Sequence, residues 1–225
     1  MGHYKSNLRD IEFNLFEVLG RGDVLGHGPY ADLDEDTARE MLKEVARLAE
    51  NDLAESFVDA DRNPPVYDPQ TQAVTMPESF KKSYKAYQDS GFWSVDVNEE
   101  LGGTVAPPSL KWGMNEMVLG ANPAIAMFAA SYAFARLLHI LGTEDQKRRW
   151  LARLVEAPRL AAFALSEPEA GSDAGAMTCR AERRGDAYVV TGTKCFCTNG
   201  DKADWITLFC TTDPTDDAET FVVTG

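Results

Sequence analysis

The chain has 225 residues, of which 44% are hydrophobic and 26% charged, which is typical of a globular protein with one large domain or two small ones. Asp and Glu total 36 against 22 Lys and Arg, so the net charge is −14. This acidity argues against sequence-independent binding of nucleic acid, which needs a basic face, and against docking on an anionic membrane surface.

The N-terminus is charged and amphipathic, and it lacks the apolar core and cleavage site of a secretion signal. No window holds the roughly 18 apolar residues of a membrane span. We therefore expect a cytoplasmic protein whose four cysteines are reduced. Cys195 and Cys197 form C-x-C rather than the C-x-x-C of zinc or redox sites, and the chain has only three histidines, so no metal site is predicted.

From about residue 10 to residue 157 the pattern is helical. Apolar residues recur at three- and four-residue steps over 41–49, which predicts an amphipathic helix. A loop is expected to end at Met76. Pro77 then takes the first position of a helix that runs to about Ser90 and is stopped by Gly91.

Two more helices are predicted over 108–119 and 123–141. The second is long and mostly apolar, so we expect it to be buried on most sides. We interpret it as a core helix rather than a membrane span because it is rich in small residues and has no neighbouring span. Thr143 and Gln146 predict a capping box for a helix that continues through Glu156.

After Pro158 the pattern changes to β. Residues 187–191 alternate and are rich in β-formers, with Gly185 and Asp186 as the turn before them. Further strands are predicted over 205–211 and 221–223. An all-helical region followed by a β-region gives an α+β chain.

The run from Leu165 to Asp173 combines a proline, small residues, a hydroxyl and acidic groups. Gly171 permits a close backbone approach, and Ser172 with neighbouring N–H groups could bind a phosphate-type oxygen. The same residues are also common in surface turns whose serines cap the local backbone. From the residues alone the turn is the favoured interpretation.

Five segments in order, however, carry a resemblance to a known family. They are FALSEPEAGSD at 163–173, a hairpin with a Gly-Asp turn, KCFCTNG at 194–200, and upstream ELGG at 100–103 and LGTEDQK at 141–147. Together they resemble the signatures of acyl-CoA dehydrogenases over nearly the whole chain. The N-terminal extension and residues 61–65 resemble the large-subunit subgroup, which includes broad-range fatty acyl-CoA and methylmercaptopropionyl-CoA dehydrogenases.

The resemblance implies an N-terminal helical domain, a middle β-barrel-like domain and a C-terminal helical domain. We expect an extension over 1–34, the helical domain over 35–158 and an incomplete middle domain over 159–225. The C-terminal helical domain would then be absent from this chain. A homo-oligomer is expected for the full-length form.

FAD is the implied cofactor, bound between the middle and C-terminal domains. The implied contacts are Phe163, Leu165, Ser166, Gly171, Ser172, Phe196, Cys197 and Thr198. Ser172 would also touch the bound CoA ester, and the Thr198 hydroxyl would lie near the flavin N5. The family usually has Trp where Phe196 stands and Ile where Cys197 stands; we expect Phe196 to keep an aromatic face and Cys197 to be a buried, inert thiol.

The implied reaction is α,β-desaturation of an acyl-CoA thioester, as in fatty-acid β-oxidation, with electron-transferring flavoprotein as the electron acceptor. A carboxylate removes the α-proton while the β-hydrogen leaves as hydride. The family's glutamate base lies in the C-terminal domain, so no residue here is assigned as the base. Glu167 is expected to be structural, and Glu116 to face solvent or a neighbour.

Three questions stay open from the sequence. The chain could be a fragment with little turnover and weak flavin retention when expressed alone, or a non-catalytic flavin- or acyl-CoA-binding subunit. An acyl-CoA oxidase would share the same signatures. The alanines around 118–132 are equally consistent with room for an acyl chain and with close helix packing.

Overall fold

The computed structural model describes residues 2–128, 131–151, 160–185 and 187–212, with 131–134 described by their backbone only. The chain divides into two compact units, Met1–Glu156 and Ala157–Gly225. Within the described residues no helix is long and apolar enough to cross a membrane. All four cysteines are free thiols.

The first unit is helical. Its helices are α1 (Leu8–Glu12, continued by a π-helical turn Phe13–Val18), α2 (Glu35–Leu48, continued by turns Ala49–Leu53 and Ala54–Ser56), α3 (Phe57–Arg62), α4 (Glu78–Ser90), α5 (Pro108–Ala121), α6 (Pro123–Phe128), α7 (Ser131–Leu141) and α8 (Glu144–Gln146, continued by a π-helical turn Lys147–Leu151). The expected helices over 41–49 and 108–119 are confirmed, both as parts of longer helices.

Local capping signals are also confirmed. Gly91 ends α4 with φ +72°, a left-handed conformation that glycine adopts without steric cost. The Thr143 side chain accepts a hydrogen bond from the Gln146 N–H, and the Gln146 side chain accepts from the Thr143 N–H, as in a capping box. Pro77 is the N-cap of α4 rather than its first helical residue, since its ψ of 139° is extended.

Two expectations for this unit are wrong. The region is not all-helical, because strands β1 (Val66–Asp68) and β2 (Ala73–Thr75) form an antiparallel hairpin where a loop was expected. The segment 123–141 is described as two helices on either side of residues 129–130, which lie outside the description. Its described side chains are not buried on most sides, since Met127 is 54% and Leu141 68% exposed while Ile125 is fully buried. Residues 152–156 of the expected last helix also lie outside the described residues.

The N-terminal extension is part of the core of the first unit. Ile11, Leu15, Leu25 and Leu33 are buried together with residues of α2 and α5. Gly113 of α5 makes room for this packing, because a Cβ there would lie 3.1 Å from the Ile11 Cγ2 and 3.2 Å from the Leu15 Cδ1. The extension therefore stabilises the helical domain rather than serving as a tail.

The second unit contains the strands β3 (Ala161–Ala164), β4 (Arg180–Arg184), β5 (Ala187–Thr191) and β6 (Trp205–Leu208). β3 pairs with β6 in parallel, and β4 pairs with β5 as an antiparallel hairpin. This confirms the hairpin and the strand over 187–191. Gly185 has the φ of +69° of its turn, and Asp186 lies outside the described residues.

The other β-predictions are met less closely. β6 ends at Leu208, short of the predicted Thr211, although Thr211 still bridges to Arg180. β3 arises from an apolar run in which no strand was predicted. The predicted strand over 221–223 lies outside the described residues.

The buried extension gives a stability prediction. We expect Leu15→Ala to destabilise the chain by about 2–4 kcal/mol, because a buried leucine is lost from a packed core. The matched control is Val18→Ala in the same turn, where the side chain is 59% exposed and the expected change is within about 0.5 kcal/mol. Urea denaturation followed by circular dichroism measures both. Equal effects of the two substitutions would contradict a core role for the extension.

Candidate functional site

Two segments form the candidate site, a first motif at residues 163–173 and a second motif at residues 194–200. The first motif begins in β3 and continues past the end of that strand. The strand is held on one side by β6, with Ala164 paired to Leu208 and the Phe209 N–H donating to the Ala164 carbonyl at 3.1 Å. A tight turn follows, in which the Glu167 N–H donates to the Ala170 carbonyl at 2.7 Å and the Ala170 N–H donates back at 3.3 Å. The motif is therefore a strand end followed by a closed turn.

Glu167 is the buried polar centre of this turn. Its side chain is only 3% exposed. Its Oε2 accepts hydrogen bonds from the Thr178 N–H at 2.7 Å and the Thr178 hydroxyl at 2.8 Å, and its Oε1 accepts from the Cys179 N–H at 2.9 Å. The prediction that Glu167 has a structural role is consistent with these contacts.

Lys194 completes the shell around Glu167 and connects the two motifs. Its Nζ lies 2.8 Å from the Glu167 Oε1 and donates to the Leu165 carbonyl at 2.9 Å. The lysine side chain is 8% exposed, so this is a buried ion pair. Burial raises the pKa of Glu167, but the hydrogen bonds from Lys194, Thr178 and Cys179 lower it more, and the pKa falls to about 2.

A backbone bond lies beside this pair. The Cys195 N–H donates to the Ser166 carbonyl at 2.9 Å. Upstream, Gly192 approaches the start of β4 so closely that a Cβ would lie 2.7 Å from the Cys179 Cα. The second motif is thus fixed against the first by both backbone and side-chain contacts.

The second motif then turns outward. Phe196 has a φ of +55° and is 94% exposed, which places an aromatic ring in the open on a left-handed backbone. The turn is anchored by Asn199, a buried residue that donates from Nδ2 to the Ala161 carbonyl at 3.4 Å and whose own carbonyl accepts from the Ala203 N–H at 2.8 Å. Asn tolerates its φ of +66° far better than Phe tolerates a similar value.

The predicted site residues Leu165 and Ser166 are bonded to Lys194 and Cys195, which directly precede the predicted residues Phe196, Cys197 and Thr198. Within the described residues, the N–H of Leu165, the N–H and hydroxyl of Ser166 and the hydroxyl of Thr198 have no hydrogen-bond partner. Phe163, two residues before Leu165, is 43% exposed. Its ring stacks on that of Phe209, with the ring centroids 5.7 Å apart. Free donors beside exposed aromatic rings fit a flat heteroaromatic group such as a flavin.

Other predicted residues are less well placed. Gly171 and Ser172 are exposed in the turn, and a Cβ on Gly171 would meet nothing within 4 Å, so packing within the described residues does not require glycine there. Cys197 is half-buried rather than buried, which corrects that expectation. Glu116 is exposed on α5.

A cavity of about 580 Å³ opens on one face of the β3–β6 pair. It is lined by Ala164, Ile206 and Leu208, which share a face through the strand register, and by Lys194 and Cys197 from the second motif. Of the eight predicted cofactor contacts only Cys197 lines it. Sequence reasoning missed Lys194 and Thr178 as site residues; Lys194 is the first residue of the second motif, but no sequence signal pairs either residue with Glu167.

Residues 35–157 match the family model of the acyl-CoA dehydrogenase N-terminal domain, and residues 162–225 match that of the acyl-CoA dehydrogenase middle domain. The chain belongs to the acyl-CoA dehydrogenase family. The two models place the helical region and the two motifs in successive domains, and residues 1–34 lie before both.

Known proteins extend this comparison. FadE5 of Mycobacterium tuberculosis, a broad-specificity linear acyl-CoA dehydrogenase, is 50% identical over 205 residues that cover 91% of this chain and 33% of FadE5. A chain in the solved structure of the electron transferring flavoprotein of Acidaminococcus fermentans has a TM-score of 0.68 and 27% identity, covering 86% of this chain and 48% of that one. The solved structure of butyryl-CoA dehydrogenase from Megasphaera elsdenii has a TM-score of 0.65 and 26% identity, and the match covers 80% of this chain and 45% of that one. The chain thus spans a third of FadE5 and less than half of either structure.

The buried carboxylate predicts a specific dependence of stability on pH. Because the pKa of Glu167 is lowered from 4.5 to about 2 on folding, its stabilising effect is present above pH 4.5 and is lost as the pH falls toward 2. Glu167→Gln should destabilise the chain at pH 7 by about 3–5 kcal/mol, because it leaves Lys194 without its counter-charge. It should also flatten the pH dependence in that window.

The control for this prediction is Glu169→Gln, which removes an exposed carboxylate two residues away. At each pH from 7 to 2, the denaturation midpoint of this variant should stay close to that of the unaltered chain, because Glu167 is still present. A Glu167→Gln protein whose stability falls with pH in the same way as that of the unaltered chain would contradict the prediction.

Proposed function

We propose that this chain forms part of an FAD-dependent acyl-CoA dehydrogenase that desaturates linear acyl-CoA thioesters, and that the two joined motifs form one wall of its flavin site. The observation that carries the proposal is the pairing of the motifs through Lys194, Glu167 and the Ser166–Cys195 backbone bond. The 50% identity to a broad-specificity linear acyl-CoA dehydrogenase supports the substrate class.

The cofactor is FAD, and the proposed contacts are Phe163, Leu165, Ser166, Gly171, Ser172, Phe196, Cys197 and Thr198. The Leu165 N–H, which has no partner within the described residues, and the hydroxyls of Ser166 and Thr198 would donate to the polar edge of the ring, and the Phe196 face would cover it. Gly171 and Ser172 would approach the pyrophosphate, with Ser172 also near the CoA ester. When bound, FAD supplies the hydride acceptor for the β-hydrogen of the substrate.

The residues of this chain are proposed to position the flavin, donate hydrogen bonds to it and exclude water. None of them is proposed as the base. Four hydrogen-bond donors, including Lys194, stabilise the ionised form of Glu167. Its pKa of about 2 makes this carboxylate a poor proton acceptor. Glu116 lies in the other compact unit on an exposed helix face. The α-proton of the substrate must therefore be removed by a carboxylate other than these two.

Electron-transferring flavoprotein is the proposed electron acceptor. The similarity to a chain in the electron transferring flavoprotein structure from Acidaminococcus fermentans supports this kind of partner. A cytoplasmic location and a homo-oligomeric state stay predictions from the sequence.

The function is tested with the complete gene product. Addition of a linear acyl-CoA to the FAD-loaded protein should bleach the flavin absorbance without air and yield the 2-enoyl-CoA, and an electron-acceptor dye should sustain turnover. Peroxide release in air at the rate of turnover would identify an oxidase instead. Tight FAD binding without bleaching by any acyl-CoA would favour the non-catalytic binding subunit.

A variant of Phe196 separates a role in binding from a role in folding. We expect Phe196→Gly to leave stability unchanged or to raise it by about 1 kcal/mol, since glycine removes the left-handed strain. Loss of the ring should weaken FAD binding by about tenfold, near the upper end of an aromatic contact. Fluorescence titration with FAD measures the affinity and thermal denaturation the stability.

The matched variant for this test is Phe196→Trp, which keeps an aromatic face and should retain FAD affinity. A Phe196→Gly protein that binds FAD as tightly as the unaltered protein would remove Phe196 from the proposed site.

A further inference from the structure

The Leu165–Ser166 peptide group is fixed from one side only. Its carbonyl oxygen, on Leu165, accepts from the Lys194 Nζ at 2.9 Å. The next carbonyl, on Ser166, accepts from the Cys195 N–H at 2.9 Å, and the following N–H, on Glu167, donates to Ala170 at 2.7 Å. In this stretch of the described chain, the N–H groups left without a partner are therefore those of Leu165 and Ser166.

The geometry of the peptide bond relates Lys194 to one of these donors. The described residues contain no cis peptide bond, and in a trans peptide the carbonyl and the N–H point in opposite directions. The Ser166 N–H therefore points away from the Lys194 ammonium. A charged donor on the carbonyl polarises the whole peptide group, which makes its N–H a stronger donor.

Glu167 keeps the ammonium in this place. The two side chains are 8% and 3% exposed, and the carboxylate is itself fixed by the Thr178 and Cys179 donors. If Lys194 swung toward solvent, it would leave a buried carboxylate without its counter-charge, which is strongly unfavourable. The long Lys194 side chain is thus held in place by its bonds to Glu167 and to the Leu165 carbonyl.

We propose that Lys194, held by Glu167, is a positioning residue that aims and polarises the Ser166 N–H toward the negative charge that the flavin gains on reduction. This inference rests on the proposed function, because it requires the flavin beside this loop. It assigns a role in tuning the cofactor to two residues that do not touch it.

The inference predicts shifts of opposite sign for the two members of the pair. Lys194→Met removes the positive charge and the polarising bond, so the reduced flavin should be bound less favourably and the midpoint potential should fall. In Glu167→Gln the amide oxygen can still accept from the Lys194 Nζ, and the Leu165 carbonyl still accepts from it, so the ammonium stays in place but loses its counter-charge and the potential should rise. A loop that is merely loosened would shift both variants in the same direction.

The experiment measures the two-electron midpoint potential of the FAD-loaded complete protein by dye equilibration. We expect each single variant to change the ratio of affinities for oxidised and reduced FAD by about tenfold, which is about 30 mV for a two-electron couple. Lys194→Arg should restore most of the potential lost in Lys194→Met. The control is Lys202→Met, a lysine in the next turn that pairs with Asp201 at 3.5 Å and should not move the potential.

Folding is controlled separately. When a single variant fails to fold, the double variant Glu167→Gln with Lys194→Met removes both buried charges and leaves two neutral side chains. Because it also lacks the polarising bond, its potential should fall by less than in Lys194→Met but stay below that of the unaltered protein. A double variant with the unaltered potential overturns the inference.

The remaining outcomes are also decisive. Shifts of the same sign in the two single variants, or no shift in either, overturn the inference while the proposed function stands. An unaltered protein that binds no FAD overturns both.

Discussion

A buried ammonium–carboxylate pair fixes the geometry on which the rest of the second unit depends. Removing two charges from water costs several kcal/mol each, and their mutual attraction recovers this only when further hydrogen bonds satisfy them. Glu167 accepts from four donors, and Lys194 also donates to the Leu165 carbonyl. Well-packed apolar residues could stabilise the same space equally well. They would not tie the backbone of one motif to the other, so the consequence specific to the pair is where the two loops lie.

The strands explain how residues so distant in sequence meet at this point. β4 and β5 are paired along their length, and Arg180 lies opposite Thr191 at the open end of the hairpin. The segment before β4 and the segment after β5 therefore lie side by side. Thr178 and Cys179 precede the hairpin and Lys194 follows it, and all three reach the Glu167 carboxylate. The segments at the open end of the hairpin therefore supply the donors Thr178, Cys179 and Lys194. The turn after β3, which pairs in parallel with β6, supplies the acceptor Glu167.

The elements that the sequence predicted well are those with local signals. The capping box at Thr143, the glycine end of α4 and the hairpin before Thr191 each depend on a few neighbouring residues. The hairpin at 66–75 was missed because its strands have three residues each, Val66 and Tyr67 are exposed, and its turn uses Asp68 side-chain bonds rather than an Asn-Gly pair.

Non-local elements were beyond sequence reasoning. Three of the four residues of β3 are alanine, which has little β-propensity, so this strand exists because β6 pairs with it from about 40 positions away. The candidate site divides in the same way. The motifs, and through their resemblance the family, could be recognised from the sequence. The ion pair could not, because nothing in the pattern shows that Lys194 reaches the Glu167 carboxylate.

Phe196 shows how the fixed pair and the proposed function are connected. A bulky residue in the left-handed region costs about 1–2 kcal/mol, and a ring that is 94% exposed recovers nothing from burial within the described chain. Such strain persists where the surroundings determine the backbone. Here Lys194 and Cys195 hold one side of Phe196, and the buried Asn199 turn holds the other. The protein thus keeps an aromatic face outward at a cost to its own folding, and the proposed flavin contact would bury the ring that the described chain leaves exposed.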